Sequence, residues 1–346
     1  MLTGCILVIL AGCSVADVVP EEPLFQPGEY GGTALPGTEH LYQLTPSPDG
    51  TRIALVRRQT PGEEFSPRDQ LWIVNADGSD PRFIGVNVGG IDWSPDGERL
   101  ALTIWVGTSS YVYTLDLATL EAVRWSGTDD NFFTRHTTSA GSWFADGRRL
   151  LVSVWGQAYR QPYARGLYVL DTETGAVEGP LVDLMEAAYL GGNDSYATGA
   201  KYVYSDDPAF DLDGNWARYD FSTGVWNYIT ELPKDSVYSQ GVVPSPVSNI
   251  VVLQREVQNA DQLYLMQSDG SDVQRITQLG GNGPQWFADG SGFLFIRDVH
   301  RGEGAHWVPF AYDLATGQER VLWSALPDSV TTFPPLPPPG TPPTLR

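Results

Sequence analysis

One short phrase recurs along this chain and constrains its fold more than any other feature. It reads Pro46-Ser47-Pro48-Asp49-Gly50, then Trp93-Ser94-Pro95-Asp96-Gly97. It returns as Trp143-Phe144-Ala145-Asp146-Gly147 and Trp286-Phe287-Ala288-Asp289-Gly290. Asp-Gly between alternating apolar runs is a strong hairpin signal, because a tight turn needs positive φ and glycine supplies it without steric cost. Pro48 and Pro95 set φ at the turn entry. The runs that follow, Arg52-Ile53-Ala54-Leu55-Val56 and Arg99-Leu100-Ala101-Leu102-Thr103, read as strands buried on one or both faces. A third strand comes next, as in Gln70-Leu71-Trp72-Ile73-Val74 or Gln262-Leu263-Tyr264-Leu265-Met266. The second turn uses Asp77-Gly78, Asp269-Gly270, Thr174-Gly175, Thr223-Gly224 or Thr316-Gly317. A fourth strand, such as Val321-Leu322-Trp323, completes the unit.

Asp49 and Asp289 are five intervals apart, which gives 48 residues per repeat. Four strands and tight turns repeated at that length specify a β-propeller. Two copies are degraded. The fifth reads Val243-Pro244-Ser245-Pro246-Val247-Ser248-Asn249, and the fourth takes Gly192-Asn193-Asp194-Ser195 as its first turn. Counting both predicts an all-β propeller of six four-stranded antiparallel blades rather than seven. Gly97 and Gly147 are predicted to hold positive φ. Trp93, Trp143 and Trp286 occupy matched positions and are read as packing between blades. The last blade, Gly283 to Ser324, has four strands of its own. The ring is therefore predicted to close by packing, with no strand from residues 24–36 laid against Arg320–Leu322.

The Trp-Ser-Pro-Asp-Gly phrase, with its later Asp-x-x-Thr-Gly turn, resembles the WD40-like repeats of the TolB-type propeller family. The likeness covers residues 37 to 325. TolB proteins also carry an α/β domain ahead of the propeller, for which this chain has no room. The resemblance therefore implies the fold and not the role in the Tol envelope system.

Residues 1–12 carry no charge, and Ile6-Leu7-Val8-Ile9-Leu10 precedes Ala11-Gly12-Cys13. Leu-Ala-Gly-Cys resembles a bacterial lipobox, which implies cleavage before Cys13 and lipidation of its thiol. A short apolar core before small residues has the logic of a secretory signal. The alternative is a buried first strand. The run is far shorter than the roughly 20 apolar residues of a membrane-spanning helix. Cys5 and Cys13 are the only cysteines, so no disulfide framework or cysteine-based zinc site is expected. Residues 13–36 read as a Pro- and Gly-rich tether and residues 326–346 as a stiff Pro-rich tail. The resulting expectation is a monomer in the bacterial cell envelope, lipid-anchored outside the cytoplasm.

Aspartate and glutamate number 42 against 21 lysines and arginines, a net charge of −21. Such a surface repels phosphate backbones, so no nucleic-acid partner is expected. No Gly-x-Ser-x-Gly elbow, His-Glu-x-x-His or phosphate loop occurs. His300, Glu303 and His306 lack a matching further ligand. Asp207, Asp211 and Asp213 lack the closing glutamate of a calcium loop. No cofactor is assigned, and a channel-bound calcium has no sequence support.

The first-to-second and third-to-fourth turns should share one rim, with the longer connections on the other. Loops longer than geometry requires usually carry function. The candidate ligand-binding residues are Arg135, His136, Tyr159, Arg160, Arg165, His300 and Arg301, from three such loops. Arginines beside aromatics suit a glycan, a peptide or a partner's carboxylates. The functional expectation is a binding or scaffold module for an envelope protein, peptide or glycan. The alternative is a polysaccharide lyase or hydrolase with its site at the channel mouth.

Overall fold

The structure, a computed structural model, describes residues 41–57, 69–106, 109–125, 137–155, 166–183, 195–196, 202–205, 216–220, 223–230, 239–257, 260–277, 279–298 and 307–322. These residues form six four-stranded antiparallel sheets. Blade 1 is β1 (Leu41–Pro46), β2 (Arg52–Arg57), β3 (Gln70–Asn75) and β4 (Arg82–Val86). Blade 2 is β5 (Val88–Trp93), β6 (Arg99–Val106), β7 (Ser109–Asp116) and β8 (Ala122–Arg124). Blade 3 is β9 (Thr137–Trp143), β10 (Arg149–Trp155), β11 (Gly166–Asp171) and β12 (Val177–Asp183). Blade 4 is β13 (Ser195–Tyr196), β14 (Tyr202–Ser205), β15 (Ala217–Asp220) and β16 (Val225–Tyr228). Blade 5 is β17 (Ser239–Pro244), β18 (Ile250–Val257), β19 (Ala260–Gln267) and β20 (Gln274–Arg275). Blade 6 is β21 (Asn282–Trp286), β22 (Gly292–Asp298), β23 (Trp307–Asp313) and β24 (Gln318–Val321).

Strand order follows chain order in every sheet. The first strands β1, β5, β9, β13, β17 and β21 lie against one another in turn, and β21 returns to β1. The molecule is therefore a six-bladed β-propeller whose inner strands ring the channel. Blade 6 takes its four strands from one contiguous stretch, as predicted. Residues 24–36 lie outside the described residues.

The repeated phrase builds its turn in a specific way. Gly97 N–H donates to Ser94 O (2.8 Å), so Pro95 and Asp96 are the central pair. Gly97 follows them with φ +71°, and Gly147 does the same at +65°. The glycine thus occupies the left-handed position after a turn, where L side chains are disfavoured. The Asp49 carboxylate accepts the Ser47 hydroxyl (2.6 Å) and the Thr51 N–H (3.0 Å). The Ser47 hydroxyl is the largest cause holding its pKa down at about 2.

The two turns of a blade are tied together by one main-chain bond. Ala76 N–H donates to Thr51 O, Leu117 to Glu98, Thr172 to Arg148, Ser268 to Asn249 and Leu314 to Ser291, at 2.7–3.0 Å. The short turns therefore share one rim and the second-to-third connections leave from the other. In the degraded fourth repeat the prediction needs correction. Ser195 stands inside β13, so the first turn falls between Tyr196 and Tyr202 rather than at Gly192–Ser195. The Asn-Asp pair precedes the inner strand there, and the segment that makes the turn carries no Asp-Gly.

Apolar side chains from both faces of each sheet build the core between blades. Ile91, Trp93 and Leu102 join Val56, Leu71 and Ile84 between blades 1 and 2. Leu294 and Ile296 join Leu44 and Leu55 where blade 6 meets blade 1. The matched tryptophans belong to this packing. Trp93 Nε1 donates to Thr45 O (2.9 Å) and Trp286 Nε1 to Val243 O (2.9 Å), each on the preceding blade. The Arg52 guanidinium lies 4.9 Å from the Trp93 ring centre and donates to Gly97 O (2.8 Å). Arg99 repeats this on Trp143 (4.8 Å) and Gly147 O (2.5 Å). Arg149 breaks the series by turning back to Asp146 (2.6 Å) and to Phe144 of its own turn.

Candidate functional site

The loop rim is framed by the ends of second strands and the starts of first and third strands. Thr137 of β9 pairs with Trp155 of β10, and Val154 pairs with Gly166 of β11. The segments carrying Arg135 with His136, and Tyr159, Arg160 and Arg165, thus attach to neighbouring strand ends of blade 3. Asp298 pairs with Trp307 at the same rim of blade 6, three blades away, and brackets the segment with His300 and Arg301. All seven candidate side chains lie outside the described residues, as do Cys13, His306 and the Asp207–Asp213 group.

Second-to-third connections differ sharply in length. Blades 2 and 5 have two residues between the paired strands, Val106 to Ser109 and Val257 to Ala260. The other four are longer by several residues. Blades 2 and 5 are diametrically opposed in a six-membered ring, so the long connections fall in two pairs on either side.

The strands that frame this rim carry charges that the reading of loops passed over. Arg57, Arg255 and Arg297 stand at one matched position, five residues beyond Arg52, Ile250 and Gly292, in the adjacent blades 1, 5 and 6. Arg57 and Arg297 are buried and Arg255 is half-buried. Arg297 is held by Glu319 through two 2.8 Å bonds and donates Nε to Gly280 O (2.8 Å). Its guanidinium also lies 4.4 Å from the Phe310 ring centre. The common spacing was the available signal.

Acidic groups stand beside them. Asp261 faces Glu256 across the β18–β19 ladder and accepts from Asn282 Nδ2 (3.2 Å). Burial raises its pKa, and the Glu256 charge adds to the rise, against the hydrogen bonds from Gln254 and Asn282. Gln254 Oε1 accepts the Gly283 N–H (2.9 Å). Among the described residues no three His, Cys, Asp or Glu side chains gather as metal ligands would. Among them, no helix is long and apolar enough to cross a membrane.

The inner strands share one further feature. β1, β5, β9, β17 and β21 each slip register by one residue against the second strand. Such bulges break the regularity of an edge strand and re-aim its side chains. Here they sit along the channel wall.

No family model and no curated protein matches the sequence. Solved structures do. TolB from Acinetobacter baumannii superposes with TM-score 0.57 at 16% identity, covering 80% of this chain and 64% of that one. The β-propeller domain of the Trilobed protease from Pyrococcus furiosus, described as an open velcro topology, superposes at 0.53 and 14% identity, covering 84% and 99%. Oligogalacturonate lyase in complex with manganese superposes at 0.52 and 15% identity, covering 86% and 84%. The chain therefore spans about two thirds of the TolB structure and nearly all of the Trilobed propeller. These neighbours act in different ways on one scaffold, and what they share with this chain is the TolB-like β-propeller fold.

Proposed function

We propose that the chain is a lipid-anchored, extracytoplasmic propeller that binds a protein, peptide or glycan over its loop rim. The observation that carries this reading is the asymmetry of the two rims. One rim is closed by short, mutually bonded turns. The other bears the long connections, and the strands flanking all three candidate loops end there. Basic and aromatic residues concentrated in those loops, on a chain of net charge −21, favour an anionic or polar ligand.

The ligand test is a double change of Arg135 and Arg160 to alanine, assayed with acidic oligosaccharides and a carboxylate-rich peptide. Charge-assisted hydrogen bonds contribute about 1.5–3 kcal/mol each, so binding is expected to weaken at least tenfold while thermal unfolding barely moves. A large loss of stability instead makes these arginines structural ion-pair partners. The anchor has its own check. Cys13→Ser is expected to release the protein from the membrane fraction or leave it unprocessed, and an unmodified mass starting at Met1 would reject the export reading. The enzymatic alternative would place a metal near His136, His300 and His306. Stoichiometric metal in the purified protein, with cleavage of an acidic polysaccharide, would favour it over a binding module.

A further inference from the structure

Blade 5 turns one face of its sheet toward blade 4, and that face opens to solvent from the channel outward. Val251 and Leu253 of β18, with Val242 of β17 and Tyr264 of β19, share an apolar cluster with Trp216 and Ile229 of blade 4. The ladder carries this face across the sheet. Val242 pairs with Leu253, Leu253 with Tyr264, and Tyr264 with Arg275 of β20. Along that row Val242 is fully buried, Leu253 is 3% exposed, Tyr264 is half-buried and Arg275 is exposed. Arg255 is half-buried and stands on the same face, two residues beyond Leu253 toward the loop rim. Thr277 fixes the outer part. Its hydroxyl accepts the Leu263 N–H (2.8 Å) and donates to Gln262 Oε1 (3.0 Å), and its carbonyl accepts from Arg275 Nε (2.7 Å). Among the described residues of β18, β19 and β20, this face carries two arginines and no acid. Glu256 and Asp261 pair on the opposite face.

We propose that this face is a docking groove for an extended acidic peptide: carboxylates at positions i and i+4 pair with Arg255 and Arg275, and an apolar side chain at i+2 lies on the Tyr264 ring. Arg255 and Arg275 stand two strands apart and two residues apart along the ladder, which sets their Cα atoms about 12 Å from one another. An extended chain turns every second side chain to the same side, so i, i+2 and i+4 share a side and span about 13 Å. Tyr264 lies between the two arginines, directly opposite Arg275 and diagonal to Arg255. Guanidinium and carboxylate form charge-assisted hydrogen bonds, and the aromatic ring supplies apolar contact between them. On a chain of net charge −21, a local basic strip of this kind favours an acidic segment over a basic one. This rests on the proposed role as a binder of an anionic ligand, and it adds contacts apart from the seven loop residues.

Fluorescence anisotropy of a labelled, end-capped Glu-Ala-Leu-Ala-Glu peptide with the full chain tests this. The isomer Glu-Glu-Leu-Ala-Ala and an acidic oligosaccharide are the comparisons. The first peptide is expected to bind about tenfold more tightly than its isomer, and less tightly as salt is added. Arg255→Ala and Arg275→Ala should each weaken it about tenfold, and Tyr264→Ala by a smaller factor. Arg275→Glu, at an exposed position, should abolish binding with the thermal midpoint nearly unmoved, and it decides the matter should Arg255→Ala fail to fold. Equal affinities for the two peptides, or wild-type affinity in Arg275→Glu, overturn the groove. A marked fall in the thermal midpoint of Arg275→Glu does so too, since the arginine is then a structural ion-pair partner. Binding that is lost on changing Arg135 and Arg160 but kept in the blade 5 variants overturns the groove and leaves the loop-rim reading standing. Binding of the oligosaccharide alone overturns the peptide as ligand. A chain that takes none of the three rejects the wider binding role as well.

Discussion

Glu319→Ala is expected to destabilise the protein by about 2–4 kcal/mol, although Glu319 sits on an outer strand and retains 27% of its side-chain exposure. The loss arises from its partner. Arg297 is only 5% exposed and fixed by Gly280 O and by the stacked Phe310 ring, so it cannot swing out to water when its counter-charge is removed. Breaking a buried pair on one side costs about 3–5 kcal/mol, and partial exposure of the glutamate trims that figure. Replacing both residues, Arg297→Met with Glu319→Leu, should cost less than Glu319→Ala alone, since no buried charge then remains. Denaturant midpoints of the three variants check the order. A double variant less stable than the single would show that the arginine is retained for packing on Phe295 and Phe310.

Trp143→Ala should cost about 3–5 kcal/mol, the range for deleting a large aromatic from a packed core. The ring is fully buried between Ala101, Val112 and Leu150 and lies under the Arg99 guanidinium. Its removal opens a cavity and strips Arg99 of its aromatic partner at once. Trp143→Phe should cost much less than the lost area suggests, because it also removes a buried indole N–H that has no acceptor among the described residues. At Trp93, whose indole N–H is bonded to Thr45 O, the same change to Phe should cost more. Equal losses at the two sites would mean that the indole hydrogen bond contributes little to this joint.

How far the fold could be read from the sequence depended on whether a signal was local. Gly97 and Gly147 were legible because an Asp-Gly turn needs positive φ wherever it occurs, and the tryptophans because they recur in step with it. Blade 4 was legible as a blade but not in its turn, since Asn193-Asp194 mimics a turn signal one strand too early. Arg57, Arg255 and Arg297 are spaced alike, but a single arginine at the end of an otherwise apolar strand carries no turn or packing signal that marks it. Asp92 was beyond reach. The 2.8 Å bond from Trp143 N–H to its carboxylate joins two blades, and register across two blades is not written in either strand alone. The loop residues named for binding were chosen by composition, and only the strands that carry them have been placed.

Among the described residues every strand ladder joins neighbours in sequence, and no blade borrows a strand from another. The order of assembly follows from this. Each sheet can form from its own stretch of about 48 residues with little loop-closure entropy to overcome, as in proteins of low contact order. Among the described residues the distant event is the meeting of Leu294 and Ile296 with Leu44 and Leu55, some 250 positions earlier in the chain. Folding should therefore divide into fast local formation of blades and a single slow closure of the ring. Until that closure, the apolar faces of blades 1 and 6 remain open to one another or to a second copy of the chain.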